Sequence, residues 1–124
     1  IREYSMIILL ILTLCALISL GQVFLKTGLE KFGKLTPSDF FSRKIVEMIK
    51  EKNLVLGVVL YAISTLLWLI ILSRAELSFA YPLVALSYLF GVIFAKIFLG
   101  ESISLLRWVG AIIIILGVFF ILKS

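Results

Sequence analysis

Four apolar stretches constrain this chain more than anything else in it: Met6 to Leu25, Leu54 to Leu72, Phe79 to Phe98 and Leu105 to Leu122. Each comes close to the roughly 20 residues that an α-helix needs to cross the hydrocarbon core of a bilayer. Lipid offers no partner to a backbone N–H or C=O, so a spanning segment must satisfy its own, and these runs lack the alternation of a membrane barrel strand. Four transmembrane helices are predicted, at about 6–25, 54–72, 79–98 and 105–122. The composition agrees. The chain is 63% hydrophobic and 15% charged, with a mean hydropathy of +1.25, against about half apolar and a quarter charged in soluble chains. The first run is too long for a removable signal peptide and lacks a small-residue cleavage site, so it is expected to stay in the mature protein. The expectation is an all-α integral membrane protein, a single membrane domain over residues 1–124.

The one sizeable piece outside these spans runs from Thr27 to Asn53. There "TPSD" sets Thr36 as an N-cap, Pro37 at the first helical position and Asp39 three residues after the cap, a capping-box pattern. One amphipathic helix of about 37–52 is predicted. Phe41, Ile45 and Met48 share its apolar stripe, with Phe40 and Ile49 on the flanks, while Ser42, Arg43, Glu47, Lys50 and Glu51 point elsewhere. Such a helix either lies in the membrane interface or packs its stripe on the helices of a partner chain.

The other joints, "SRAELS" and "LGESIS", are short and make consecutive helices antiparallel neighbours. Lys26, Lys31, Lys34, Arg43, Lys44, Lys50, Lys52, Lys96 and Arg107 fall on the side of the first and third loops; Arg2, Arg74 and Lys123 fall on the other. The skew predicts cytoplasmic first and third loops, external termini, and one fixed insertion orientation rather than an antiparallel homodimer.

Chemistry is narrowed by what the chain lacks. Cys15 is the single cysteine and there is no histidine, which excludes an intramolecular disulfide and cysteine or histidine metal sites. No carboxylate falls within the central two-thirds of any predicted span, so neither a buried proton-exchanging acid nor a nucleophile–base pair can be assembled. An enzyme is not expected, and no cofactor or nucleic acid is implied.

The polar residues that do enter the spans are the candidates. Ser19, Gln22 and Lys26 recur at spacings of three and four and share one helix face, which suits a watery cavity. Gln22 as interhelical glue and Lys26 snorkelling to the headgroups is the alternative. In "FAYPLVALSYLFG", Pro82 removes a donor, Ser87 adds a hydroxyl, and Tyr81 and Tyr88 are seven apart, hence on one face of a continuous helix. Tyrosines so placed suit a passage or serve as interfacial anchors. Tyr61 and Trp68 are also seven apart. Glu101 is expected to cap the fourth helix or to pair with Arg107 or Lys96. Gly110 and Gly117 share a face that lets helices approach closely, and the last helix of a four-helix bundle is the natural place for self-association. Gly91 with Ala95 is a second small-residue pair.

Taken in order, "SLGQVFLK", "WLIILSRAELSFAYPLVALS", "LGESIS" and "RWVGAIIIILGVFFI" resemble the four-helix, small multidrug resistance-like branch of the drug/metabolite transporter superfamily. The resemblance spans nearly the whole chain apart from the loop 32–53. It implies a dimer through Gly110, Ile114, Gly117 and Val118, and a substrate chamber lined by Tyr81. One departure separates the branches. Where the small multidrug resistance exporters carry a first-helix glutamate, this chain has Ile18, which can neither hold a cation nor release a proton. The glycine pair that kinks their third helix is replaced here by Leu86 and Tyr88.

The pattern is more similar to the EamA-like subunits that flip aminoarabinose-phosphoundecaprenol across the bacterial inner membrane. These share "GQ" followed by a lysine, a tryptophan-led second run, "AYP" opening the third helix and a glutamate at the hinge. The resemblance implies a substrate site drawn from Gln22, Lys26, Trp68, Tyr81 and Glu101, to which the hydroxyls of Ser87 and Tyr88 are added by spacing. The expected function is a flippase, a homodimer or half of a heterodimer with a related subunit, moving an anionic amphiphile such as a polyprenyl-phosphate-linked sugar. Two alternatives stay open: an exporter of a cation or small metabolite that uses Glu101 or a partner's carboxylate, and a non-transporting accessory subunit of a membrane glycosyltransferase.

Overall fold

The computed structural model describes residues 2–124, with side chains from residue 4 onward; the Arg2 side chain counted above therefore lies outside the described residues. Among the described residues there are six α-helices: α1 (Arg2–Leu29), α2 (Lys44–Lys50), α3 (Lys52–Leu72), α4 (Leu77–Val84), α5 (Ser87–Phe98) and α6 (Leu105–Lys123). They supply four segments long and apolar enough to cross a membrane, Tyr4–Leu29, Lys52–Leu72, Leu77–Phe98 and Leu105–Lys123. The expected all-α membrane architecture is what the chain adopts. α1 is the axis of the bundle, with α3 along one side and α5 along the other, while α6 meets the rest mainly through α4.

α1 and α3 are held close by glycine. A Cβ on Gly28 would stand 2.7 Å from Leu54 Cγ and 2.9 Å from the Leu54 backbone nitrogen. One on Gly57 would reach Leu25 Cγ at 2.7 Å and the Gly21 carbonyl at 3.0 Å. Without a hydrophobic effect between helices in lipid, this close backbone approach is what dispersion forces require. Ile7, Ile11, Leu14 and Cys15 of α1 form the buried core with Ile71, Ala80, Leu83 and Val118.

The third span departs from the continuous helix expected at 79–98. It breaks at Ala85 and Leu86, between α4 and α5. Pro82, inside α4, cannot donate to the preceding turn. Beyond it the amides of Ala85, Leu86, Tyr88 and Leu89 each bond three residues back, at 3.0–3.1 Å, in place of four. The kink arises without the glycine pair of the small multidrug resistance exporters. α1 stitches it: the Ser19 hydroxyl donates to the Ser87 carbonyl at 2.9 Å, and the Cys15 thiol lies 3.9 and 3.8 Å from the Leu83 and Val84 carbonyls. Helix carbonyls freed in a membrane need such donors.

The loop helix expected at 37–52 is also divided, into a 3-10 turn, Pro37–Phe41, and α2. Ser42 ends the turn, its hydroxyl donating back to the Asp39 carbonyl at 2.9 Å. The predicted capping box is present: Asp39 accepts from the Thr36 amide at 2.8 Å and from its hydroxyl at 3.2 Å. Lys31 and Glu51 form an ion pair at 3.0 Å that clips the end of α1 to the start of α3 and closes the excursion.

Candidate functional site

Between α1, α5 and the hinge into α6 lies a cavity of about 710 Å³. α1 contributes Ile18, Ser19 and Gln22; the far wall carries Ser87, Tyr88 and Gly91; the hinge and the first turn of α6 bring Glu101 and Arg107. Gln22, Ser87, Tyr88 and Glu101, all expected from the sequence, thus share one space.

The hinge is built by Gly100, whose φ of +67° few other residues adopt. It turns the chain so that the Glu101 amide returns to the Ala95 carbonyl at 3.2 Å. Glu101 does not cap α6, as was expected. Ser104 does, its hydroxyl accepting from the Arg107 amide at 3.3 Å, because the cap must stand directly before the first helical residue. Nor do Glu101 and Arg107 form an ion pair; the ion pairs among the described residues are Lys31–Glu51 and Lys44–Asp39. Lys96 sits over the Trp108 ring, 5.8 Å from its centroid. The cavity therefore holds one guanidinium and one carboxylate that do not neutralise each other by contact.

Arg107 is the residue that sequence reasoning passed over as a site member. Its signal was its position in the first turn of a helix, where the dipole disfavours a cation. A cation there needs a reason beyond helix stability.

Trp68 and Tyr81 line a second, smaller cavity of about 270 Å³ with Tyr61, their rings edge-on at 6.2 Å. Its two aliphatic hydroxyls are spent on their own helix, Ser64 on the Leu60 carbonyl at 2.8 Å and Thr65 on that of Tyr61 at 3.0 Å. Tyr81 and Tyr88 do not share a face. Each residue in the 3-10 stretch adds roughly 20° more rotation than in an α-helix, which sends the two rings into different cavities. Ile18 lines both and stands between them.

Lys26 is not brought to the Gln22 cavity; it lines a separate recess with Glu30 and Lys34. A further cavity at the opposite end contains Arg74 and Glu76.

On α6, an added Cβ at Gly110 or Gly117 would meet nothing within 4 Å. Ile114 packs against the core and Val118 is 5% exposed inside it. Val118 thus turns inward, about 100° around the helix from its neighbour Gly117.

Residues 8–123 match the family model of the EamA-like transporter family. Among curated proteins the chain is similar to probable 4-amino-4-deoxy-L-arabinose-phosphoundecaprenol flippase subunits of two kinds. With the ArnE subunit of Pseudomonas fluorescens it is 31% identical over 91% of this chain and 94% of the relative. The ArnE subunit of Pectobacterium atrosepticum is 29% identical, over 90% and 93%. The ArnF subunit of Shewanella sediminis is 30% identical, over 94% and 88%. No solved structure matches the chain.

Proposed function

This chain belongs to the EamA-like transporter family, and from that premise we propose that it is a flippase subunit whose cargo is a phosphate-bearing amphiphile, such as a polyprenyl-phosphate-linked sugar. The observation that carries this reading is the pair of uncancelled charges, Arg107 and Glu101, lining one cavity with Gln22, Ser87 and Tyr88. A guanidinium can grip two phosphate oxygens at once through its planar fork. The Gln22 amide and the Tyr88 hydroxyl offer neutral donors around it. Glu101 supplies a partner for an amino group on the sugar, as borne by the amino-deoxyarabinose for which the similar subunits are named. The lipid tail needs no polar site and stays among the apolar helix faces. Arg107 takes the part expected of Lys26.

Two further elements belong to the proposal. The open face of α6 at Gly110 and Gly117 receives a second subunit, either a copy or a related chain; the similar proteins are themselves named as subunits. The cationic end of the bundle faces the cytoplasm, which makes the cavity's charged mouth cytoplasmic.

The test is flipping of a polyprenyl-phosphate amino sugar in proteoliposomes. Losing a hydrogen bond to a charged group costs about 1.5–3 kcal/mol, so Arg107→Gln should slow flipping at least about tenfold. Glu101→Gln should slow the amino sugar more than its hydroxyl analogue. A wild-type rate in Arg107→Gln overturns the proposal. Glu101 in the cavity also favours a second reading, export of a small cation; a cation-dependent proton current abolished by Glu101→Gln would establish that instead.

A further inference from the structure

The loop beyond α1 takes no part in the cargo cavity, yet it encloses a recess of its own. Phe40, Ile45, Met48 and Ile49 face Leu25 and Val58 across about 500 Å³, and no charged or hydroxyl-bearing side chain lines it. Leu29 and Leu35 wall both this groove and the next recess, of about 450 Å³, whose polar lining is Lys26, Lys34 and Glu30. The two recesses adjoin at these shared walls, a hollow in two parts, the first apolar throughout and the second net cationic. Neither lysine is engaged in an ion pair among the described residues. None of the hollow's lining residues lines the cargo cavity.

We propose that this hollow is a binding site for an anionic phospholipid of the surrounding leaflet, one acyl chain in the groove and the phosphate at Lys26 and Lys34. Charge decides between occupants. A second copy of the chain laid over the hollow would trap two lysines against a single carboxylate, whereas a phosphate completes the balance. A zwitterionic lipid brings an ammonium that the lysines repel. The site also accounts for the divided loop helix. The break after the 3-10 turn lets Phe40 and the α2 residues Ile45, Met48 and Ile49 line one groove against α1 and α3. The proposal stands independently of the cargo.

A Phe40→Trp variant of the full chain, reconstituted in phosphatidylcholine vesicles, reports occupancy through quenching by bromine-labelled phosphatidylglycerol or bromine-labelled phosphatidylcholine at equal mole fraction. The parent protein subtracts the signal of Trp68 and Trp108. Ile49→Trp is the second reporter should the first not fold. The recess of Lys26, Lys34 and Glu30 carries one net positive charge, so the anionic lipid should be favoured about fivefold, the equivalent of about 1 kcal/mol. Lys26→Gln with Lys34→Gln should erase that preference while phosphatidylcholine still quenches. Equal quenching by both lipids overturns the proposal, as does a preference that survives the double substitution. Quenching by neither would mean that a protein surface covers the groove, and displacement by undecaprenyl phosphate but not by unlabelled phosphatidylglycerol would assign it to cargo; each of these overturns it too.

Discussion

Gly28→Ala adds one methyl group at a place where α1 and α3 lie close. Its carbon would stand 2.9 Å from the Leu54 backbone nitrogen, 0.5 Å inside the 3.4 Å at which ordinary contact begins. Backbone cannot step aside as a side-chain tip can, so the two helices must part or tilt. Overpacking of a fitted interface costs about 1–3 kcal/mol. Against this, alanine gains up to about 1 kcal/mol over glycine in helix propensity. The net expectation is a loss of up to about 2 kcal/mol against wild type, and of about 1–3 kcal/mol against a variant that has the propensity gain alone. Gly91→Ala is the matched control, since its methyl would meet nothing within 4 Å and only the propensity gain remains. Unfolding in mixed micelles by rising dodecyl sulfate, followed by circular dichroism, measures both. A Gly28→Ala protein as stable as Gly91→Ala would refute the close α1–α3 contact. Equal losses in both variants would refute the reasoning from local space.

Ser19→Ala should leave the Ser87 carbonyl without its donor, at a cost of about 1 kcal/mol, and should speed hydrogen exchange in peptides covering 84–90; unchanged exchange would mean the break holds itself. Gly110→Ile with Gly117→Ile should weaken self-association several-fold by energy transfer between labelled copies while leaving the unfolding midpoint in place. A dimer that survives both bulky residues lies on another face. Loop order should depend on acid pH. The Thr36 amide chiefly, with Lys44, lowers the Asp39 carboxyl below its usual range, and Lys31 chiefly lowers Glu51. Folded values below the unfolded ones mean a stabilisation fully present above the usual carboxylate range and lost as pH falls through the lowered values. A nitroxide at Phe41→Cys, an exposed position, should therefore stay ordered from neutral pH down through the usual carboxylate range and gain mobility below it. Asp39→Asn should show the mobile spectrum at neutral pH, and an acid transition identical in that variant would refute the assignment.

The spans were legible because hydropathy and length alone decide what can cross lipid. Gln22, Ser87, Tyr88 and Glu101 were legible as polar side chains with no soluble surface to occupy. Their grouping was not. Spacing arguments assume a continuous helix, and the turn tightened after Pro82 rotates Tyr81 away from Tyr88. Lys26 shares a helix face with Gln22, but the loop folds over it and encloses it elsewhere. Gly21, Gly28 and Gly57 passed as unremarkable because closeness between α1 and α3 belongs to the pair of helices. The loop helix was overextended because its apolar stripe continues in sequence through Ser42, where a side-chain hydroxyl bonds back to the backbone and ends the turn.

Ser19 lines the cavity proposed for the cargo and also gives its hydroxyl hydrogen to the Ser87 carbonyl. A hydroxyl has one hydrogen. Any cargo group that accepts from Ser19 must take that hydrogen from the bend of the third span, and any cargo group that donates to Ser19 leaves the bend clamped. Acceptors and donors on a headgroup would therefore be felt differently by the same joint. Occupancy of the proposed site and the shape of the third span would then meet in that one hydrogen.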